Sequence, residues 1–180
     1  MERLLPVKVQ GVVVDPVNKG FAVILKDDVN NKWLPIYIGP FEAQAIAFEL
    51  EGQKLPRPST HDLIKNIFDT LNTKVLKVTV VALKDNTFFA NITVEINGVI
   101  KEIDSRPSDA IAIALRTKSP IFISQKVMDQ AGMDAMPHEN EKTKKLRELQ
   151  AQLDELIKQE KYEEAAKIRD QINKIKSKLT

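Results

Sequence analysis

No cysteine occurs among the 180 residues. Disulfides, thiolate metal centres and cysteine nucleophiles are therefore excluded. Histidine is almost as scarce, with only His61 and His138, so a histidine-rich metal site is excluded too. No glycine-rich phosphate loop follows a strand, and the nucleotide-binding fingerprints are absent. No serine–histidine–acid triad can be read from the spacing. No apolar run is long enough to span a bilayer. The start, Met1-Glu2-Arg3-Leu4-Leu5-Pro6, lacks the apolar core of a signal peptide. A cytoplasmic protein without a membrane partner is expected, and the lack of cysteine agrees. An excess of one charge is missing as well. Of 27 basic and 25 acidic residues, 11 and 9 fall from Glu139 onward, leaving 16 of each before it. A formally neutral main domain does not bind nucleic acid through bulk charge, so any such contact must come from a local patch.

What is present suits a soluble globular chain: 43% hydrophobic and 29% charged residues, enough for one core plus an appendage. Leu4–Val14 alternates and ends in a valine run, reading as a strand. Turn signals at Asp15-Pro16 and Asn18-Lys19-Gly20 lead to Phe21–Leu25. A polar turn then leads to Trp33–Ile38, where Pro35 suggests an edge strand or an irregularity. Gly39-Pro40 opens a helix over Phe41–Leu50. Ser59 opens another, with Leu63, Ile64, Ile67, Phe68 and Leu71 as its apolar pattern. Lys74–Leu83, Phe88–Ile96 and Val99–Ile103 form a second meander, with Asn97-Gly98 as a hairpin turn. A helix apolar nearly all round follows Asp104-Ser105-Arg106-Pro107-Ser108-Asp109. After it come a short strand at Pro120–Ile123 and a small helix from Ser124 to Gly132. Strands in hairpin series with helices between and after them make an α+β domain of largely antiparallel meanders.

The chemistry concentrates at two helix starts. Arg57-Pro58-Ser59-Thr60-His61-Asp62 and Arg106-Pro107-Ser108-Asp109 both place Arg-Pro-Ser, then Asp, where a helix begins. Proline fits the first turn, Ser59 with Asp62 has capping-box spacing, and Ser105 is positioned to cap the later helix. Both stretches are what well-made helix starts look like. They are also what a phosphate-ester site requires if the two turns meet. Helix N-termini and arginines suit phosphate oxygens, and carboxylates hold divalent metals. Glu42, in the first turn of its own helix, either compensates the helix dipole or adds a third site carboxylate.

Residues 134–142 lack periodicity and read as a linker between a domain over 1–133 and a tail over 143–180. In the tail, Leu146, Leu149, Leu153 and Leu156 recur at three- and four-residue spacing. After a break at Gln159–Tyr162 the spacing resumes with Ala165, Ile168, Ile172, Ile175 and Leu179. Two short amphipathic helices with a shared seam predict an antiparallel hairpin. Its exposed apolar seam suits docking to a protein partner.

Three stretches together resemble the bifunctional nuclease domain family: Leu34-Pro35-Ile36-Tyr37-Ile38-Gly39 with Glu42-Ala43, Arg57–Asp62, and Asp104–Ala112. The resemblance covers most of Leu4–Met133. It implies an α+β domain, a homodimer, and hydrolysis of DNA and RNA, an activity described for plant members. Lys145–Leu179 resembles the UVR motif of excinuclease subunits and of some protease-associated regulators, through Leu149, Leu153, Glu160, Tyr162, Glu163, Ala165, Ala166, Arg169, Asp170 and Ile172. Tyr162 stands where phenylalanine is commoner. That motif implies protein–protein contact.

The expectation is a nuclease. Asp104, Asp109, Glu42 and Asp62 are its candidate catalytic carboxylates, and His61, as an imidazole, is its general acid or base. Arg57, Arg106, Ser59 and Ser108 would bind phosphate. Asp104, Asp109 and Glu42 would direct magnesium or manganese. Two alternatives stay open. One is a non-enzymatic dimeric adaptor that recruits a DNA-repair or protease partner through residues 143–180. The other is a small-molecule domain that takes a phosphorylated or carboxylated ligand at the same helix starts.

Overall fold

The computed structural model describes residues 3–15, 20–134, 149, 152–153, 156–157 and 161–176. The chain divides into two compact units, Met1–Ala135 and Met136–Thr180. The first is α+β.

Its first meander is β1 (Leu4–Asp15), β2 (Gly20–Asp27) and β3 (Lys32–Ile38); its second is β4 (Lys74–Lys84), β5 (Thr87–Ile96) and β6 (Val99–Ser105). Two-residue turns close the second, with Asp85–Asn86 and Asn97–Gly98 all at positive φ. That is the backbone a tight hairpin with right-handed twist demands. β7 (Ile121–Ser124) joins the meanders into one seven-stranded sheet ordered β3-β2-β1-β7-β4-β5-β6. Each neighbouring pair is antiparallel except β4 and β7. The junction is made by β1 changing partner. Leu4–Val7 pairs with β7, and from Lys8 onward the strand pairs with β2, through a register slip between Val9 and Gly11. β3, which carries Pro35, is an edge strand, as its proline predicts.

The helices are α1 (Pro40–Leu50), α2 (Thr60–Thr70), α3 (Pro107–Thr117) and α4 (Gln125–Ala131). One apolar core joins Val23, Leu25, Leu34 and Ile36 of the first meander to Val78, Val80, Ile92 and Val94 of the second. Ile46, Ile111, Ile113, Val127 and Met128 of the helices fill it. Ala110 through Ala114 are all buried, because α3 lies between α1 and α2 and also packs on the sheet. The apolar pattern of α2 splits. Ile64 and Phe68 pack on the core, whereas Leu63, Ile67 and Leu71 face outward. Neighbouring apolar residues span more of a helix circumference than one core contact covers.

In the second unit, α5 runs from Tyr162 to Lys176. Leu149, Ala165 and Ile172 of the expected seam are buried. Gln152 and Leu156 line one shallow groove with Glu164, Ile168 and Gln171, so the two segments lie side by side. The linker from residue 135 onward and most of the first tail helix lie outside the described residues. Among the described residues no helix is long and apolar enough to cross a membrane.

Candidate active site

Three helices begin around one groove. Their N-caps are Gly39, Ser59 and Arg106, so each carries a carboxylate at its third residue: Glu42, Asp62 and Asp109. Each therefore sits where the helix dipole favours negative charge. The groove measures about 860 Å³, and all three line it, with His61, Arg106, Arg116, Phe41, Phe48 and Lys54 among their neighbours.

The two Arg-Pro-Ser motifs are out of phase with their helices. In the first, Ser59 is the N-cap and forms a capping box with Asp62. The Asp62 carboxylate accepts from the Ser59 N–H and hydroxyl, both at 2.8 Å. In the second, Arg106 itself is the N-cap and Pro107 opens the helix. Ser105 does not cap; its hydroxyl donates to the Arg106 carbonyl. The shift brings the second arginine within its own first turn. Arg106 grips Asp109 with two nitrogens, Nε–Oδ2 at 2.7 Å and Nη2–Oδ1 at 3.1 Å. Its third nitrogen donates to Glu42 at 2.9 Å. Arg57, five residues ahead of Asp62, is exposed and does not line the groove.

Asp109 also meets His61, Nε2–Oδ1 3.1 Å. Burial pushes the Asp109 carboxyl up, but hydrogen bonds from Arg106 and His61 more than offset this, holding it below the usual carboxylate range. An ionised carboxylate only accepts, so Nε2–H is the donor, and in the neutral imidazole Nδ1 is the basic nitrogen. His61 itself is nearly buried, at 9% exposure, yet it borders the groove. Hydrogen bonds to Asp109, and next to Glu42, push the Arg106 guanidinium up.

Asp62 belongs to a second pair. Arg116, on α3 two turns beyond Asp109, donates Nε to Asp62 at 2.6 Å. Its other nitrogens donate to the carbonyls of Ala45 on α1 and Ala112 on α3. One buried guanidinium thus ties three helices together. Burial raises the Asp62 carboxyl, but the Ser59 N–H, then Arg116 and the Ser59 hydroxyl, bring it down to about 2.

Of the residues expected at a site, the structure brings together Glu42, Ser59, His61, Asp62, Arg106 and Asp109. Asp104 stands apart. It is exposed on β6, opposite Asn91 of β5, whereas the next residue in register, Ile103, pairs with the core residue Ile92. Successive strand residues face opposite ways, so Asp104 points away from the core and from α3. Ser108 is buried and does not border the groove. Glu42 and Asp109 do flank a cation, but the cation is the Arg106 guanidinium. Among the described residues, no three His, Cys, Asp or Glu side chains are grouped to hold a metal ion. The side chains as arranged therefore do not fit a magnesium or manganese centre.

Two groove residues escape a reading of helix starts. Arg116 is the last-turn arginine of an otherwise apolar helix, and its isolation there was the available signal. Phe41 is 81% exposed beside Glu42, which no periodicity predicts.

Residues 23–136 match the bifunctional nuclease domain family, and residues 143–178 match the UvrB/uvrC motif. An uncharacterized protein of Mycobacterium tuberculosis (strain H37Rv) is 39% identical over 127 residues, covering 71% of this chain and 76% of that one. Bifunctional nuclease 1 of Arabidopsis thaliana is 28% identical over 116 residues, 62% of this chain and 36% of its own. Bifunctional nuclease 1 of Oryza sativa subsp. japonica is 25% identical over 116 residues, 62% and 35% respectively.

Proposed function

This chain belongs to the bifunctional nuclease domain family, and from that premise we propose that it hydrolyses phosphodiester bonds of nucleic acid in the groove where α1, α2 and α3 begin. The observation that carries the proposal is the chain of contacts Glu42–Arg106–Asp109–His61, reachable from solvent. Asp109 holds the imidazole with Nδ1 free to take a proton from water. The water oxygen bonds to phosphorus, the ester P–O bond breaks, and the departing oxygen takes a proton from bulk water while the His61 imidazolium returns its own to solvent. Arg106, 66% exposed along its side chain, keeps Asp109 and turns its outer nitrogen from Glu42 to a phosphoryl oxygen. A guanidinium held this way stabilises the charge that grows on phosphorus. The carboxylates Glu42, Asp62 and Asp109 are committed to arginines.

The test is cleavage of labelled DNA and RNA by the full chain, with magnesium, with manganese and with a chelator. Cleavage that survives chelation and falls at least a hundredfold in Asp109→Asn, with the fold intact by circular dichroism, is expected; loss of an oriented general base costs about that much. Undiminished cleavage by Asp109→Asn sinks the assignment. Strict metal dependence would mean that Arg106 leaves its place between Glu42 and Asp109.

A second reading is favoured by the match of residues 143–178 to the UvrB/uvrC motif. Here the main domain pairs with a second copy and the tail recruits a protein. The internally neutralised groove then serves only to hold the helices. Sedimentation tests the pairing, and affinity capture with the full chain against one ending at Asn140 tests the tail. Identical captured proteins remove this reading.

A further inference from the structure

Phe41 is the most exposed large apolar side chain described, at 81%. It is not stranded on a bare surface. It lines the groove on the residue before Glu42, whose carboxylate touches Arg106. A flat apolar ring thus lines the same groove as the one guanidinium there that faces water. Arg116, the other, is sealed at 5% exposure.

Resting on the nuclease reading, we propose that this groove takes single-stranded nucleic acid in preference to duplex, with one base stacked on Phe41 and the adjoining phosphate on Arg106. The pairing of ring and guanidinium matches the alternation of base and phosphate along a strand. In a duplex the base faces are already stacked on each other, so Phe41 gains nothing from them. The groove, about 860 Å³, is of the size that encloses a small ligand, roughly 300–1,000 Å³. A main unit without net positive charge adds little sequence-independent attraction for the denser charge of a duplex. Because every base has a π-face, sequence preference is weak.

The experiment is fluorescence anisotropy with the full chain, a short labelled DNA oligonucleotide, and the same oligonucleotide annealed to its complement. Cleavage is followed in parallel. The wild type binds the single strand more tightly than the duplex. Phe41→Ala weakens single-strand binding about 5- to 150-fold, the range of a lost base–aromatic contact, and removes the preference. Phe41→Trp restores both. An exposed side chain leaves the fold unaffected, and the melting temperature checks this. Equal affinity for both oligonucleotides, or Phe41→Ala binding like the wild type, overturns the proposal. So does a Phe41→Ala change confined to oligomeric state, which would make the ring a contact between copies. Phe41-dependent binding without any cleavage would overturn the nuclease reading and leave this one standing. Cleavage with Phe41-independent binding would do the reverse.

Discussion

Replacing Arg116 with methionine should loosen the helices that build the groove. The side chain is 5% exposed, and methionine fills much of its volume, so the change removes charge and hydrogen bonds more than packing. Asp62 loses its 2.6 Å partner, and the Ala45 carbonyl loses both of its guanidinium donors. Breaking a buried ion pair from one side costs about 3–5 kcal/mol. Asp62 is 35% exposed and keeps Ser59, so about 2–3 kcal/mol is expected here. The sign with pH follows from Asp62, which lies at about 2 against an ordinary 3.8. Its contribution is fully present above the ordinary value and is lost as pH falls through about 2. Each unit corresponds to about 1.4 kcal/mol. Discounted for solvent screening, and for the share that belongs to Ser59, Arg116 accounts for roughly 1 kcal/mol of it. Urea unfolding followed by tryptophan fluorescence reads this directly, because the only tryptophan is Trp33 and it lies in the first unit. The gap between wild type and Arg116→Met should narrow by about 1 kcal/mol from pH 7 into the acid range, and Asp62→Asn should narrow it similarly at pH 7. A gap below about 0.5 kcal/mol, or one that ignores both pH and Asp62→Asn, would show that Arg116 only fills space.

Ser59→Ala removes a helix cap and should cost about 1 kcal/mol in the same unfolding assay. Unchanged stability would mean that Asp62 alone holds the start of α2. Gly39→Ala should act on the site and spare the fold. A Cβ there would stand 2.4 Å from a Glu42 carboxylate oxygen, the movable end of a long side chain. Stability should change by less than about 1 kcal/mol, while Glu42 leaves Arg106 and the cleavage rate changes. An unaltered Glu42–Arg106 contact in a crystal structure of the variant would refute this.

Much of the fold was legible because it is local. Period-two alternation marked the strands, Asn97-Gly98 marked its turn, and Gly39-Pro40 and Ser59 marked two helix starts. The joining of two meanders into one sheet was not legible. It depends on β1 pairing with β7 over four residues and with β2 over the rest, and no local pattern records a change of partner. The outward face of α2 was not legible either: apolar periodicity shows that a helix has a core side, not how wide the contact will be.

The site was half legible, and the reason lies in helix phase. Arg-Pro-Ser occurs twice, and as text the two copies look equivalent. Proline before a serine cap leaves Arg57 outside the first turn. Proline at the first helical position makes Arg106 the cap residue and puts it three positions from Asp109, where side chains meet. That offset of two residues decides which arginine reaches the groove. It also decides what the carboxylates are for. Asp62 is matched by an arginine withdrawn from water and so serves the packing of three helices. Asp109, at the same position of its own helix, is matched by an arginine that water reaches and by a histidine with one nitrogen uncommitted. Under the proposed function, only the second arrangement exchanges its partners for a substrate. Exchanging the roles tests the point: Asp62→Asn should lower stability more than activity, and Asp109→Asn activity more than stability. If the two variants lose both in equal proportion, the groove has no division between support and chemistry.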